Sequence, residues 1–198
     1  CGLGGHRTML ESFGFKWRGV NYKEGMADQI REQASSNNDI DFYNGLHLPY
    51  ADESFDVVYS FQTFEHIQDI GITFSEIARV LKPGGALTGS VSYLEQIHDY
   101  STFNFTPYGL KLAAEAAGMK LVKVYPSYDV FTWFFRRLLI TTSASDENSL
   151  SDVLDRTGSI HQSFVAYGLR QGLTPKQTNL MRLMFSACFT FLVTKLGT

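Results

Sequence analysis

Two groups of residues in this chain have the types and spacing to do chemistry. The chain opens on Cys1-Gly2-Leu3-Gly4-Gly5, a glycine turn in front of a helical stretch. Glycine lets a backbone approach a ligand with no Cβ in the way, and a helix start offers free N–H groups and a positive dipole end to an anionic group. The turn is not a dinucleotide fingerprint, because the third glycine of G-x-G-x-x-G is replaced by Arg7, and no P-loop sequence occurs. The second group is His66 and the pair His98-Asp99. An imidazole titrates near neutrality and can act as a general base, and a neighbouring carboxylate can orient it. Each has a plainer reading: His66 packs a strand-to-helix turn, and His98-Asp99 is a substrate-loop pair or a polar turn. Tyr93 and Tyr100 read as packing residues, and Glu65 as structural or as a cofactor contact.

Positioning these groups requires an alternation of strands and helices. Residues 6–15 read as a helix, 16–21 as a strand, 24–35 as a polar helix with Met26 and Ile30 on one face, and 40–43 and 54–60 as strands. Phe74, Ile77, Val80 and Leu81 form the apolar stripe of a helix over 74–81. Lys82-Pro83-Gly84-Gly85 stops it, since Pro cannot continue a helix and Gly supplies positive φ. A strand follows over 86–93. Thr106-Pro107 caps and opens a helix ending at Gly118, and 120–128 alternates as a strand. Thr174-Pro175-Lys176-Gln177 is a capping box with Pro at the first helical position, and 187–195 is again strand-like. This order implies an α/β protein with a doubly wound, mostly parallel sheet, whose ligands lie at the carboxyl ends of the strands.

Composition narrows the function classes. With 198 residues, 44% hydrophobic and 19% charged, the chain has the content of one globular domain. A net charge of −3 and no long basic run argue against nucleic acid as the main partner. The two cysteines, Cys1 and Cys188, make neither a disulfide framework nor a metal-like pair, so no metal is expected and a reducing cytoplasm is the default setting. No apolar stretch reaches the roughly 18 residues of a membrane span.

The motifs also carry a resemblance. The glycine turn, Leu48-Pro49-Tyr50 with Ser54-Phe55-Asp56-Val57-Val58, Phe64-Glu65-His66, and Glu76-Ile77-Ala78-Arg79-Val80-Leu81-Lys82-Pro83-Gly84-Gly85 stand in the order and spacing of class I S-adenosylmethionine (SAM) dependent methyltransferases. His98-Asp99-Tyr100, Phe105-Thr106-Pro107-Tyr108-Gly109-Leu110 and Ala116-Ala117-Gly118-Met119 are similar to the corresponding run of its small-molecule, methyltransferase type 11-like members. The resemblance covers residues 1–128 and extends to the last strand.

It implies a Rossmann-like methyltransferase sheet with a C-terminal antiparallel hairpin, SAM as cofactor and a small-molecule acceptor. By the same resemblance Gly2 and Gly4 line the methionine part of the cofactor. Asn21 stands where an acid usually grips the ribose, and Asn44, Gly45 and Leu46 stand where an Asp usually meets the adenine. Ser60, Phe61 and Gln62 line the floor under the sulfonium, and His66 and His98 are the candidate bases. A neutral Asn accepts hydrogen bonds more weakly than a carboxylate. The expected reaction is methyl transfer to O, N or C of a small molecule, such as a sugar or lipid-linked intermediate, with rate coming largely from alignment. A catalytically inactive methyltransferase-like binding protein is the alternative.

Two organisational expectations complete the reading. The chain is one domain over 1–198 with a helical insertion over 129–186 between the last two strands. In the insertion, Phe131-Thr132-Trp133-Phe134-Phe135 reads as a core face, with a lid over an apolar acceptor or a homodimer surface as sharper readings, and Arg136-Arg137 as solvated. The family sheet runs 3-2-1-4-5-7-6, so its first strand is expected upstream of Cys1.

Overall fold

The computed structural model describes residues 1–22, 28–96, 101–142 and 159–197. In chain order these form α1 (Arg7–Ser12), β1 (Gly19–Tyr22), α2 (Asp28–Ser35), β2 (Ile40–Tyr43), β3 (Phe55–Phe61), a 3-10 turn (Phe64–His66), α3 (Ile70–Val80) and β4 (Leu81–Ser92). There follow α4 (Pro107–Ala116), β5 (Met119–Pro126), α5 (Val130–Thr142), α6 (Ser159–Arg170), α7 (Pro175–Leu183) and β6 (Cys188–Lys195).

The described strands make two sheets. β1 and β2 pair in parallel, Gly19 opposite Ile40 through Tyr22 opposite Tyr43. The larger sheet runs β3-β4-β6-β5, with β3 and β4 parallel and β6 antiparallel to both neighbours. This is the α/β architecture with an antiparallel closing pair. The glycine turn and α1 link the sheets: the Cys1 amino group donates to Val20 O of β1 at 3.1 Å, and the His6 ring lies 5.4 and 4.8 Å from those of Tyr59 and Phe61 on β3.

Several boundaries differ from the sequence expectation: α1 spans Arg7–Ser12 rather than 6–15, and β1 spans Gly19–Tyr22 rather than 16–21. Helix α3 begins at Ile70, four residues before its apolar stripe, because the Asp69 carboxylate caps it by accepting from Ile72 N at 3.0 Å. It ends where expected, yet Lys82-Pro83-Gly84-Gly85 lies within β4. Leu81 pairs with Phe55, Ala86 with Val57, and the intervening residues form an irregularity in which Gly84 has φ +75°. Pairing to β3 on both sides absorbs a segment whose local sequence only says stop.

The core lies between the larger sheet and α3 and α4. Leu87, Val91, Phe189, Phe191 and Val193 of the strands bury against Phe74, Ile77 and Leu110 of the helices. Phe64 joins them, its ring 5.0 Å from Phe74 and 6.2 Å from Phe191. Burying an aromatic side chain in this way contributes about 2–3 kcal/mol, and it fixes the 3-10 turn that carries Glu65 and His66. Thr106 caps α4 by accepting from Gly109 N at 2.9 Å, as its sequence predicts.

Between β5 and β6 lie α5, α6 and α7. The capping box at Thr174 and Gln177 is formed. The core-face expectation for 131–135 is not met by its phenylalanines: Phe131, Phe134 and Phe135 are 47%, 58% and 53% exposed. Trp133 is the member that packs, stacked on Tyr128 with ring centroids 6.0 Å apart. In a helix these four side chains point in different directions, so one sheet-facing side cannot take them all.

Candidate active site at the strand carboxyl ends

The glycine turn is held by its own backbone and by β1. Gly4 N donates to Cys1 O at 3.0 Å, and Gly2 and Gly4 have φ of +57° and +84°. Both values lie in the left-handed region, which glycine occupies without cost. A Cβ at Gly2 would meet nothing within 4 Å, so bare backbone faces open space there. Asn21, buried in β1, ties the turn down: its Nδ2 donates to Gly2 O at 2.9 Å, and its Oδ1 accepts from the Cys1 amino group at 2.7 Å. Its side chain is therefore already bonded on both sides, which the sequence did not reveal.

At the end of β2, Asn44 Oδ1 accepts from Leu46 N at 3.0 Å and His47 N at 3.2 Å. This Asx turn holds the loop through the side-chain oxygen that the resemblance assigns to the adenine. Gly45 has φ +79°, and a Cβ there would lie 2.7 Å from the Tyr22 ring at the end of β1. The two loops thus meet so closely that only glycine fits between them. Leu46 is exposed beside it.

The end of β3 supplies the third loop. Ser60 is buried, and its Oγ has no hydrogen-bond partner among the described residues. Buried hydroxyls normally find partners, so an orphaned one at the end of a parallel strand fits a missing polar ligand. A Cβ on Gly89, opposite Ser60 in β4, would lie 1.6 Å from Ser60 O, so close strand approach demands glycine. Phe61 is exposed. Gln62 leaves the strand with φ +47°, and its N–H donates to Ser90 O at 3.0 Å. A non-glycine residue in that region is uncommon and costs of order 1–3 kcal/mol unless its surroundings hold it. Here they do, because the Gln62 amide sits among Ser90, Ser92, Glu65 and Glu95.

His66 is half-buried at the end of the 3-10 turn. His98 and Asp99 lie outside the described residues, so the proposed base and its orienter have no geometry to set against the sequence. Glu95, Ser90 and Ser92, which sit at the site, carried no motif that would have found them. The described residues hold no group of three or more His, Cys, Asp or Glu placed to bind a metal ion.

The structure brings together Gly2, Gly4 and Asn21, places Gly45 against Tyr22 next to Asn21, and joins Phe61 to the turn through His6. These are the carboxyl ends of parallel strands, where open α/β sheets bind ligands. A backbone-lined cradle and an unpartnered serine fit the polar length of SAM. The bonded state of Asn21 leaves less room for a ribose contact than a free acid would.

Comparison with known proteins agrees with this geometry. Residues 1–88 match the family described as "Methyltransferase domain". Among curated proteins, the methyltransferase GfsG of Streptomyces halstedii is 32% identical over 93 residues, which cover 44% of this chain and 34% of that protein. The match thus spans about a third of that relative's length. Among solved structures, the phosphoethanolamine N-methyltransferase 2 of Haemonchus contortus, in complex with SAM, superposes with a TM-score of 0.53 at 19% identity, covering 100% of this chain and 47% of that one. The [4+2]-cyclase SpnF superposes with a TM-score of 0.56 at 19% identity, covering 100% and 73%. At these identities the structural likeness establishes the fold.

Proposed function

We propose that this chain, whose residues 1–88 match the methyltransferase domain family and whose fold is that of SAM-dependent methyltransferases, transfers a methyl group from SAM to a small-molecule acceptor. The observation that carries the proposal is the meeting of three loops at the carboxyl ends of β1, β2 and β3. They are the left-handed turn at Gly2 and Gly4, the Gly45 turn against Tyr22, and the left-handed Gln62 beside the unpartnered Ser60. When bound, the cofactor supplies an electrophilic methyl group on a sulfonium.

The chain's own residues do the rest. Gly2 and Gly4 present backbone to the amino acid end of the ligand. The Gly45 turn and Leu46 border the base end. Ser60, Phe61 and Gln62 form the floor on which the reacting atoms align, and alignment alone can supply much of the rate. His66 is the described imidazole nearest that floor in sequence and serves as the candidate base. The acceptor is a hydroxyl, amine or carbon nucleophile of a small molecule, a sugar or lipid-linked compound among them. Helices α5, α6 and α7, with the exposed Phe131, Phe134 and Phe135 on α5, belong to an insertion that shapes the acceptor side or a homodimer surface.

A second reading, a protein of this fold that binds without methyl transfer, is favoured by Asn21, whose Nδ2 is already bonded to Gly2 O. The [4+2]-cyclase of the same fold illustrates that the fold does not fix the chemistry. Calorimetric titration with SAM and separately with S-adenosylhomocysteine separates the readings. Micromolar binding of both supports a methyltransferase, and no binding by a folded sample overturns it in favour of the second reading.

A further inference from the structure

Cys1 to Gly4 form a turn closed by the bond from Gly4 N to Cys1 O at 3.0 Å. The carbonyl of Gly2, in the middle of that turn, points away from its own backbone and needs a donor from elsewhere. Asn21 of β1 supplies it, with Nδ2 donating to Gly2 O at 2.9 Å. Asn21 is 2% exposed, and its Oδ1 accepts from the Cys1 nitrogen at 2.7 Å. Apolar contact seats the turn as well. A Cβ on Gly4 would lie 3.2 Å from the Trp17 ring, and one on Gly19 of β1 would lie 2.5 Å from the same ring. The turn therefore rests on β1 and Trp17 in one orientation.

That anchor decides where a neighbouring donor points. Gly2 O and Leu3 N belong to one planar peptide group, and no peptide among the described residues is cis. In a trans peptide the C=O and N–H point in opposite directions. Holding Gly2 O against Asn21 thus turns the Leu3 N–H to the other side, where it bonds no acceptor among the described residues. The backbone is open there, since a Cβ on Gly2 would meet nothing within 4 Å.

The anchor requires an amide. A carboxylate has no hydrogen to give, and at this position it would set an ionised oxygen against Gly2 O in a buried spot. An acid at residue 21, where the resemblance leads one to expect it, would release this turn.

We infer that Asn21 is a positioning residue: it holds Gly2 O so that the Leu3 N–H faces the carboxylate of the cofactor's amino acid end, and it makes no ribose contact. This rests on the methyltransferase reading. The contact to the cofactor belongs to the backbone of the turn, and Asn21 acts through it.

Calorimetry with two ligands tests the assignment. S-adenosylhomocysteine carries the amino acid end, and methylthioadenosine keeps adenine and ribose without it. N21A should lower the affinity for S-adenosylhomocysteine about tenfold, the scale of one lost hydrogen-bond anchor, and leave that for methylthioadenosine unchanged. N21D should weaken S-adenosylhomocysteine at neutral pH and recover part of the loss as pH falls and its carboxyl gains a proton to donate. A ribose contact has the opposite signature: N21A weakens both ligands and N21D binds more tightly. Either of those results, or no change for either ligand, overturns the assignment. The unsubstituted chain decides the matter if a variant fails to fold. In its NMR spectra the Leu3 amide should shift with S-adenosylhomocysteine and not with methylthioadenosine, while the Asn21 side-chain amide holds still with both. A shift of the Asn21 amide with methylthioadenosine overturns the role and leaves cofactor binding intact. No binding of S-adenosylhomocysteine by the unsubstituted chain overturns the methyltransferase reading and this role with it.

Discussion

Glu76 and Arg79 sit three residues apart on α3, and the loop from Leu48 to Asp52 hangs on them. Glu76 Oε2 accepts from Leu48 N at 2.8 Å, and Arg79 donates to Leu48 O at 3.1 Å, Tyr50 O at 2.8 Å and Asp52 Oδ1 at 2.7 Å. The guanidinium also bonds both oxygens of Glu76 at 2.8 Å, a fork geometry that suits Arg and not Lys. Hydrogen bonds from Arg79, helped by Leu48 N–H and the charges of Arg79 and His47, hold the Glu76 carboxyl below its ordinary range against the opposing effect of burial. A depressed carboxyl contributes stability that is present above its unfolded pKa and is lost as pH falls through the folded one. Glu76→Gln should therefore cost about 1.5–3 kcal/mol at neutral pH, the range for hydrogen bonds to charged groups. Urea unfolding should show the gap between the two proteins narrowing as the buffer is taken below the ordinary glutamate range. A gap that does not change with pH would sink this account.

At the scale of elements, the helices between β5 and β6 leave the sheet at Asp129. That side chain is buried and caps α5, accepting from Phe131 N at 3.1 Å, Thr132 N at 2.9 Å and Thr132 Oγ1 at 2.7 Å. The backbone closes the same point from the other side: Val130 N donates to Phe185 O at 2.7 Å, and Ala187 N donates to Tyr128 O at 2.8 Å. Asp129 is thus both the cap of one helix and the clasp of the return into β6. Asp129→Ala should lower stability by about 1–2 kcal/mol, as loss of a helix cap does, and urea midpoints measure it. Asp129→Asn keeps an accepting oxygen and should recover most of that loss. Equal losses in the two variants would show that charge, not capping, is the larger effect.

At the scale of the whole molecule, the described strands form a parallel pair, β1-β2, and a four-stranded sheet, and Val20 and Tyr43 of the pair pack against the main core. β4 and β6 each have a partner on both sides, whereas β3 pairs on one side only among the described residues. A strand with one free edge opens more readily than a central one. Native-state hydrogen exchange should accordingly find the amides of β4 and β6 slowest, with those of the edge strand β5 exchanging at lower opening free energy. Uniform protection across the larger sheet would overturn this ordering. The same two-part construction bears on ligand binding, because the proposed site lies on both parts. A ligand that touches the turn at Gly2 and the floor at Ser60 should raise the protection of β1.

Much of this was legible in the sequence because it is local. The caps at Thr106 and Thr174 act over three residues, the glycine turn opens a helix directly after it, and strand runs such as 40–43 announce themselves by side-chain type. Alternating elements then imply the α/β fold and put the site at the strand carboxyl ends, and the motif series pointed to the family. What the sequence could not decide were the contacts made across the sheet. Asn21 bonds Gly2 over 19 residues and Ser92 bonds Glu65 over 27. Such pairs exist only once strand order and register are set, and a slip of one residue would turn every side chain to the other face. Likewise Lys82-Pro83-Gly84-Gly85 reads locally as a stop, and only pairing with β3 carries it into β4. The glycine turn and the strand ends are a property of the sequence. The neighbours that give Asn21, Gln62, Glu65 and Glu95 their chemistry belong to the tertiary structure, because long-range packing alone determines which polar groups are buried together.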